Sequence, residues 1–182
     1  MLTNALVFLI ETAAGFFTVL LLLRFLMQWA RVGRNPVGDF VNALTNFAVL
    51  PARRVIPGLR GIDLSTLVLA WLVQLVQLVL VLQIVAGPAR AAIAPGIPML
   101  ALLALVMVVR LLLYIVIVIV IVQAVLSWVN PYSPLSPVLN ALTRPLLRPF
   151  QRRIPPVANV DLSPLFVIIV CQLILIVLGN VV

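Results

Sequence analysis

Histidine and lysine are absent from this 182-residue chain, and cysteine occurs once. Acidic residues number four against twelve arginines. Each shortage excludes a class of chemistry. A tetrahedral zinc site needs a cluster of Cys or His, and a Ser-His-Asp triad needs a histidine. Cys171 sits alone in an apolar run, so it forms no intramolecular disulfide. Glu11, Asp39, Asp63 and Asp161 are too scattered for a carboxylate dyad, and no glycine-rich phosphate loop is present. Proton-coupled transporters place carboxylates or histidines in mid-span, whereas Glu11 is the only carboxylate within an apolar run here. Neither catalysis nor a cofactor is expected, and active transport has no support.

What the chain has in abundance is apolar surface. A hydrophobic fraction of 65%, 9% charged residues and a mean hydropathy of +1.32 exceed what a soluble domain of this length can bury. Four runs approach the ~20 residues needed to cross a bilayer as helix, from Leu6 to Trp29, Leu64 to Ala86, Leu100 to Trp128 and Pro164 to Val181. Helices are expected because an isolated strand cannot satisfy its backbone in lipid. The N-terminal segment lacks a positively charged n-region, so the first run reads as a retained span. Arg31, Arg34, Arg53, Arg54 and Arg60 follow the first run, and Arg144, Arg148, Arg152 and Arg153 follow the third. The connection at 87–99, from Gly87-Pro88 to Pro95-Gly96, holds only Arg90. The positive-inside rule then puts the two arginine-rich connections in the cytoplasm and both termini outside.

Residues 42–80 reappear at 140–178 without a gap, with sixteen of 39 positions identical. Asn42-Ala43-Leu44-Thr45 returns as Asn140-Ala141-Leu142-Thr143, and Asp63-Leu64-Ser65 as Asp161-Leu162-Ser163. A duplication of this kind organises the whole fold. The predicted architecture is an all-α membrane protein with four transmembrane helices in two parallel repeats, 1–90 and 91–182. Their pseudo-two-fold axis runs along the membrane normal. Each repeat carries an interfacial amphipathic helix, signalled by Val37, Phe40, Val41, Leu44 and Phe47 in one, and by Leu135, Val138, Leu139, Leu142 and Leu146 in the other. Pro51 and Pro149 are expected to end these helices, because proline removes an interior donor.

Several polar residues need a reason. Asp63 with Ser65, and Asp161 with Ser163 and Pro164, stand where a helix N-terminus wants a cap. Each Asp is also placed to pair with the arginines nine to ten residues upstream. Gln74 and Gln172 fall near the bilayer midplane, either as hydrogen-bonded glue between helices or as a polar constriction. Aligning Trp29 with Trp128 sets Glu11 against Arg110 and Arg24 against Gln123. That register suggests an ion pair between Glu11 and Arg110; the alternative is separate snorkelling to the interface.

The second repeat resembles the YggT family of bacterial membrane proteins, related to the YlmG-type proteins of plastids and cyanobacteria. The resemblance rests on Asn130-Pro131, Leu142-Thr143-Arg144-Pro145, Pro149-Phe150-Gln151-Arg152-Arg153-Ile154-Pro155 and Val160-Asp161-Leu162-Ser163-Pro164. The first repeat carries a degenerate version, with Asn46-Phe47 in place of Arg144-Pro145. The resemblance implies an inner-membrane protein linked to osmotic tolerance or cation uptake, and it brings no catalytic residues or cofactors. Single-copy relatives are associated with cell division, nucleoid organisation or maturation of photosynthetic complexes.

Two functions of different class are therefore expected. In the first, a non-enzymatic factor of the bacterial inner membrane organises or assists other components at the cytoplasmic leaflet. Arg53, Arg54, Arg144, Arg148, Arg152 and Arg153 then contact anionic phospholipid headgroups or a membrane-protein partner, and nucleic acid is not expected. In the second, the repeats form a small channel or transporter for a cation or osmolyte, alone or as a homo-oligomer, with Arg24, Gln74, Gln123 and Gln172 along its path.

Overall fold

Residues 1–56, 63–91, 96–130, 132–153 and 161–179 are described by the computed structural model, side chains 86–91 excepted. Six helices run through them: α1 (Leu2–Trp29), α2 (Pro36–Val55), α3 (Leu64–Ala91), α4 (Ile97–Val129), α5 (Ser136–Gln151) and α6 (Ser163–Gly179). Several residues that the sequence brought forward, namely Pro57, Arg60, Pro95, Pro131, Ile154, Pro155, Val160 and Val181, lie outside the described residues. So does the side chain of Arg90.

Helices α1, α3 and α4 are long and apolar enough to cross a membrane. Helix α4, with 33 residues, is ~50 Å long at 1.5 Å per residue, well beyond the ~30 Å hydrocarbon layer. Helix α6 is apolar but has only 17 residues in its described length, ~26 Å. Large apolar side chains such as Leu102, Val118, Ile121, Leu173 and Ile176 face outward from α4 and α6, which water would not tolerate over so wide a surface.

The repeat is visible in the packing. Helix α2 lies against α1 and α3, and α5 lies against α4 and α6. Helix α1 packs on α3 as α4 packs on α6. The repeats meet through α3 with α4 and α1 with α4. No comparable α1–α6 contact closes the ring among the described residues, so the expected two-fold arrangement is open on one flank. One core nevertheless spans both halves, joining Leu26 and Val41 of the first repeat to Val120, Leu142 and Cys171 of the second. A second core forms where Leu21, Leu22, Val49, Ala70 and Val108 meet. The Trp71 indole Nε1 adds a tie between repeats, donating to the Ala101 carbonyl at 2.9 Å.

The prolines act differently from expectation. Pro51 lies inside α2, and Pro145 and Pro149 lie inside α5. Each proline removes one backbone donor, but the turn that follows keeps its own bonds. Ile56 N donates to Ala52 O at 2.9 Å, and Arg153 N donates to Phe150 O at 2.9 Å. Packing of Val49 (fully buried) and Leu147 on the bundle holds the helical path across the lost bond. Helix α3 likewise continues past Gly87-Pro88 to Ala91, so the loop expected from Gly87 starts later. The apolar stripe of α2 also divides: Val41 faces the bundle, whereas Phe40, Leu44 and Phe47 face outward.

An interior proline costs a helix ~3 kcal/mol, and Pro51 is exposed. Pro51→Ala is therefore expected to raise the thermal midpoint of the detergent-solubilised protein; a lowered midpoint would show that the kinked path itself is needed for packing.

Candidate functional site

The polar side chains gather at the elbow formed by the end of α1, helix α2 and the start of α3. Helix α1 stops in a Schellman turn: Val32 N donates to Met27 O at 2.9 Å and Arg31 N to Gln28 O at 3.0 Å. Arg31 occupies the left-handed position of that turn with φ 52°, a conformation usually left to glycine. Helix α2 then opens on Asn35, whose Oδ1 accepts from Gly38 N at 2.8 Å, with Pro36 in the first turn.

Arg24 is the centre of the elbow. It is only 4% exposed on α1, and its Nη1 donates to Thr45 Oγ1 at 2.6 Å and to Asn46 Oδ1 at 3.0 Å. Thr45 Oγ1 in turn donates to the Val41 carbonyl at 2.7 Å, which leaves its lone pairs for the guanidinium. Helix α2 is thus tied to α1 by a charged donor and two neutral acceptors. Phe17 of α1 and Phe47 of α2 also meet, with ring centroids 5.5 Å apart and planes tilted by 32°.

Asp63 combines the two roles that the sequence left open. Its Oδ1 accepts from Ser65 N at 3.2 Å and caps α3. Its Oδ2 accepts from both Nε, at 2.8 Å, and Nη2, at 2.5 Å, of Arg53. This is the one ion pair among the described residues, with Arg53 40% exposed and Asp63 7%. Burial alone would raise the Asp63 carboxyl. The Arg53 bonds and charge, with help from Ser65 and Gln28, reverse that and hold it below the usual carboxylate range. Ser65 Oγ also donates to the Ile56 carbonyl at 2.7 Å, closing the end of α2 onto the start of α3.

The second elbow repeats the layout with amides in place of guanidinium groups. Asp161 Oδ1 caps α6 through Ser163 N at 2.9 Å, and Pro164 follows in the first turn. Its Oδ2 accepts from Gln151 Nε2 at 2.8 Å, the position equivalent to Arg53. The expected pairing of Asp161 with Arg152 or Arg153 does not form, because the residue at the pairing position is a glutamine. Burial pushes the Asp161 carboxyl up, and its bonds to Ser163 and Gln151 outweigh that and lower it. Gln123, equivalent to Arg24, donates from Nε2 to Asn140 Oδ1 at 2.9 Å.

The elbows enclose unequal spaces. A cleft of about 980 Å³ in the first is lined by Arg24, Gln28, Arg31, Arg34, Asn42 and Arg53, among others. The second holds only about 100 Å³, around Gln123, Ser127, Ser136 and Asn140. Sequence reasoning named Arg24 and Arg53 but missed Gln28, Arg31, Arg34 and Asn42 as a group. The signal available was their clustering within 28–42, between the first span and the first turns of α2.

Other expectations fare differently. Arg54, Arg144, Arg148, Arg152 and Arg153 are all exposed at the ends of α2 and along α5. Gln74 is 2% exposed and donates from Nε2 to Thr18 Oγ1 at 3.0 Å and Gln77 Oε1 at 3.1 Å, so it ties α3 to α1. Gln172, by contrast, lies on the exposed face of α6, since Thr18 is matched by Ile117 in the second repeat and offers it no partner. Glu11 is exposed and forms no ion pair with Arg110, which is half-buried on α4. The open packing of the repeats gives these two charges no shared interface. Arg24, Gln74 and Gln123 each bond to different partners, and Gln172 is exposed.

The asymmetry between elbows is testable. Asp63→Asn is expected to cost about 2 kcal/mol at neutral pH, the worth of a charge-assisted hydrogen bond. Because the folded carboxyl titrates below its unfolded value, that stabilisation is present above pH ~4 and fades as pH falls further. The gap between wild-type and Asp63→Asn thermal midpoints should therefore close in acid. In the second elbow, Gln151→Arg places the new pair on an exposed carboxylate and should shift stability by less than ~1 kcal/mol.

The CCB3/YggT family model matches residues 3–84 and 102–182. An uncharacterized protein of Pseudomonas aeruginosa, PA0392, is 34% identical over 174 residues, which cover 95% of this chain and 87% of that protein. The uncharacterized protein YggT of Escherichia coli strain K12 is 41% identical over 71 residues, 38% of each chain. A protein of Vibrio alginolyticus, named only as uncharacterized in the proC 3' region, is 34% identical over 71 residues. No solved structure matches. With both halves of the duplication matched and a relative aligned along nearly its full length, the chain belongs to the CCB3/YggT family.

Proposed function

We propose that this chain is a non-enzymatic protein of the bacterial inner membrane that organises or assists other membrane components at the cytoplasmic leaflet. In this reading α6 is the fourth crossing, both termini face the periplasm, and α2 and α5 lie in the inner interface. The observation that carries it is the surface of the elbows. Exposed Arg54 shares α2 with exposed Phe40, Phe47 and Leu50, and exposed Arg144, Arg148, Arg152 and Arg153 follow one another along α5 and its end. Apolar side chains that enter the acyl boundary next to guanidinium groups at phosphate depth suit an anionic leaflet. Arg53 drops out of this set, since Asp63 already neutralises it. A role in osmotic-stress tolerance rests on the family resemblance alone.

The tryptophans offer a direct test. Trp29 and Trp128 end α1 and α4 next to the elbows, and both are exposed. Protein reconstituted in mixed bilayers should be quenched more by brominated phosphatidylglycerol than by brominated phosphatidylcholine. At ~1 kcal/mol per arginine, Arg152→Ala/Arg153→Ala should reduce that preference by up to about thirtyfold. An unchanged preference, together with potassium flux through liposomes holding the pure protein, would replace this reading with a conduit.

A further inference from the structure

The cleft inside the first elbow is a cationic site that leaflet contact by the outer arginines leaves unused. Of its four guanidinium groups, Arg53 is paired with Asp63, and against the other three, Arg24, Arg31 and Arg34, the lining holds one further carboxylate, Asp39. Arg24 is anchored through Nη1 alone, yet a guanidinium carries five N–H groups. Its buried Nε has no hydrogen-bond partner among the described residues. One turn further along α1, Gln28 Oε1 is a buried acceptor that also lacks a partner. Donors and an acceptor left together in one pocket call for a guest that brings both acceptor oxygens and a hydroxyl.

The shape of the donor set selects among anions. A planar carboxylate is matched by one guanidinium fork. Here the groups come from two elements, the α1 helix and the 31–34 turn, a spread donor set that suits the several oxygens of a phosphate better than one planar carboxylate. A volume of about 980 Å³ falls in the range of small-ligand sites and exceeds the need of a bare ion. Arg31 adds its own argument. Its left-handed backbone is one that glycine would adopt with less strain, and local strain of this kind collects where a side chain has work to do.

We infer that this cleft binds a phosphate ester bearing a free hydroxyl, with Arg24 as the inner anchor and Arg31 and Arg34 at the mouth. The ester is either a soluble metabolite of the glycerol phosphate class, a monoester, or the headgroup of a phosphoglycerol lipid, a diester; both present non-bridging phosphate oxygens and a glycerol hydroxyl. The site belongs to the first repeat only, because Gln123 stands in place of Arg24 and the second cavity has no cationic lining. The inference does not depend on leaflet contact by the outer arginines.

The full chain in phosphatidylcholine nanodiscs, titrated with glycerol phosphate by calorimetry, tests the soluble source. Native mass spectrometry of the protein from nanodiscs containing phosphatidylglycerol tests the lipid source. Saturable binding of glycerol phosphate, or one retained phosphatidylglycerol, is expected. Arg24→Gln, which copies the second repeat, should weaken it at least tenfold, the value of one charge-assisted hydrogen bond. Arg34→Gln, on an exposed turn and free of packing duties, should weaken it several-fold. Arg152→Gln/Arg153→Gln should leave it unchanged even where leaflet preference is lost. The inference is overturned if wild type binds neither probe, or if Arg24→Gln and Arg34→Gln, folded by circular dichroism, bind as wild type does.

Discussion

A guanidinium group carried on a membrane-spanning helix has few ways to exist, and Arg24 has taken one of them. It lies within the last two turns of α1, where it cannot stay bare in hydrocarbon. The hydroxyl of Thr45 and the amide of Asn46 receive it, and both belong to α2. Meeting that demand therefore decides where α2 lies. Once α2 is laid across α1 and α3, its C-terminal end is brought to Asp63, and the Arg53 pair closes the first unit. The apolar contacts at Val41 and Val49 stabilise the same pose, but a stripe of leucines and valines is non-directional and would accept several.

The duplicated half shows what remains when the charges are withdrawn. At the two arginines that tie the first unit together, Arg24 and Arg53, the second has a glutamine, Gln123 and Gln151. The amides reach an asparagine and an aspartate and keep the helical layout. Fold therefore tolerates either residue, since a hydrogen bond of modest strength suffices to position α5. What changes is the space enclosed, which shrinks about tenfold from one elbow to the other. In the first unit the guanidinium groups both hold α2 in place and line the cleft, whereas the amides of the second unit serve to position α5.

Much of this arrangement could be read in the chain before any coordinates. Hydrophobic run length marked the apolar helices, and the 98-residue offset identified the two units and their matching caps. Asp63 and Asp161 were legible because a carboxylate ahead of an apolar run has few other uses. Proline misled, because the rule for an isolated helix ignores the packing of Val49 and Leu147 that carries α2 and α5 through it. The Glu11–Arg110 pair failed because equivalence in a repeat fixes depth in the membrane but not the azimuth of a side chain. The cleft itself was invisible for a similar reason. Gln28, Arg31, Arg34 and Asn42 follow no periodic pattern, and only the Schellman turn folds them toward Arg24.

That turn has a consequence for heredity. Every arginine codon lies one base change from a glycine codon, so the residue that the backbone of Arg31 favours is always a single mutation away. A population that had no use for the cation would have a short and energetically downhill route to lose it.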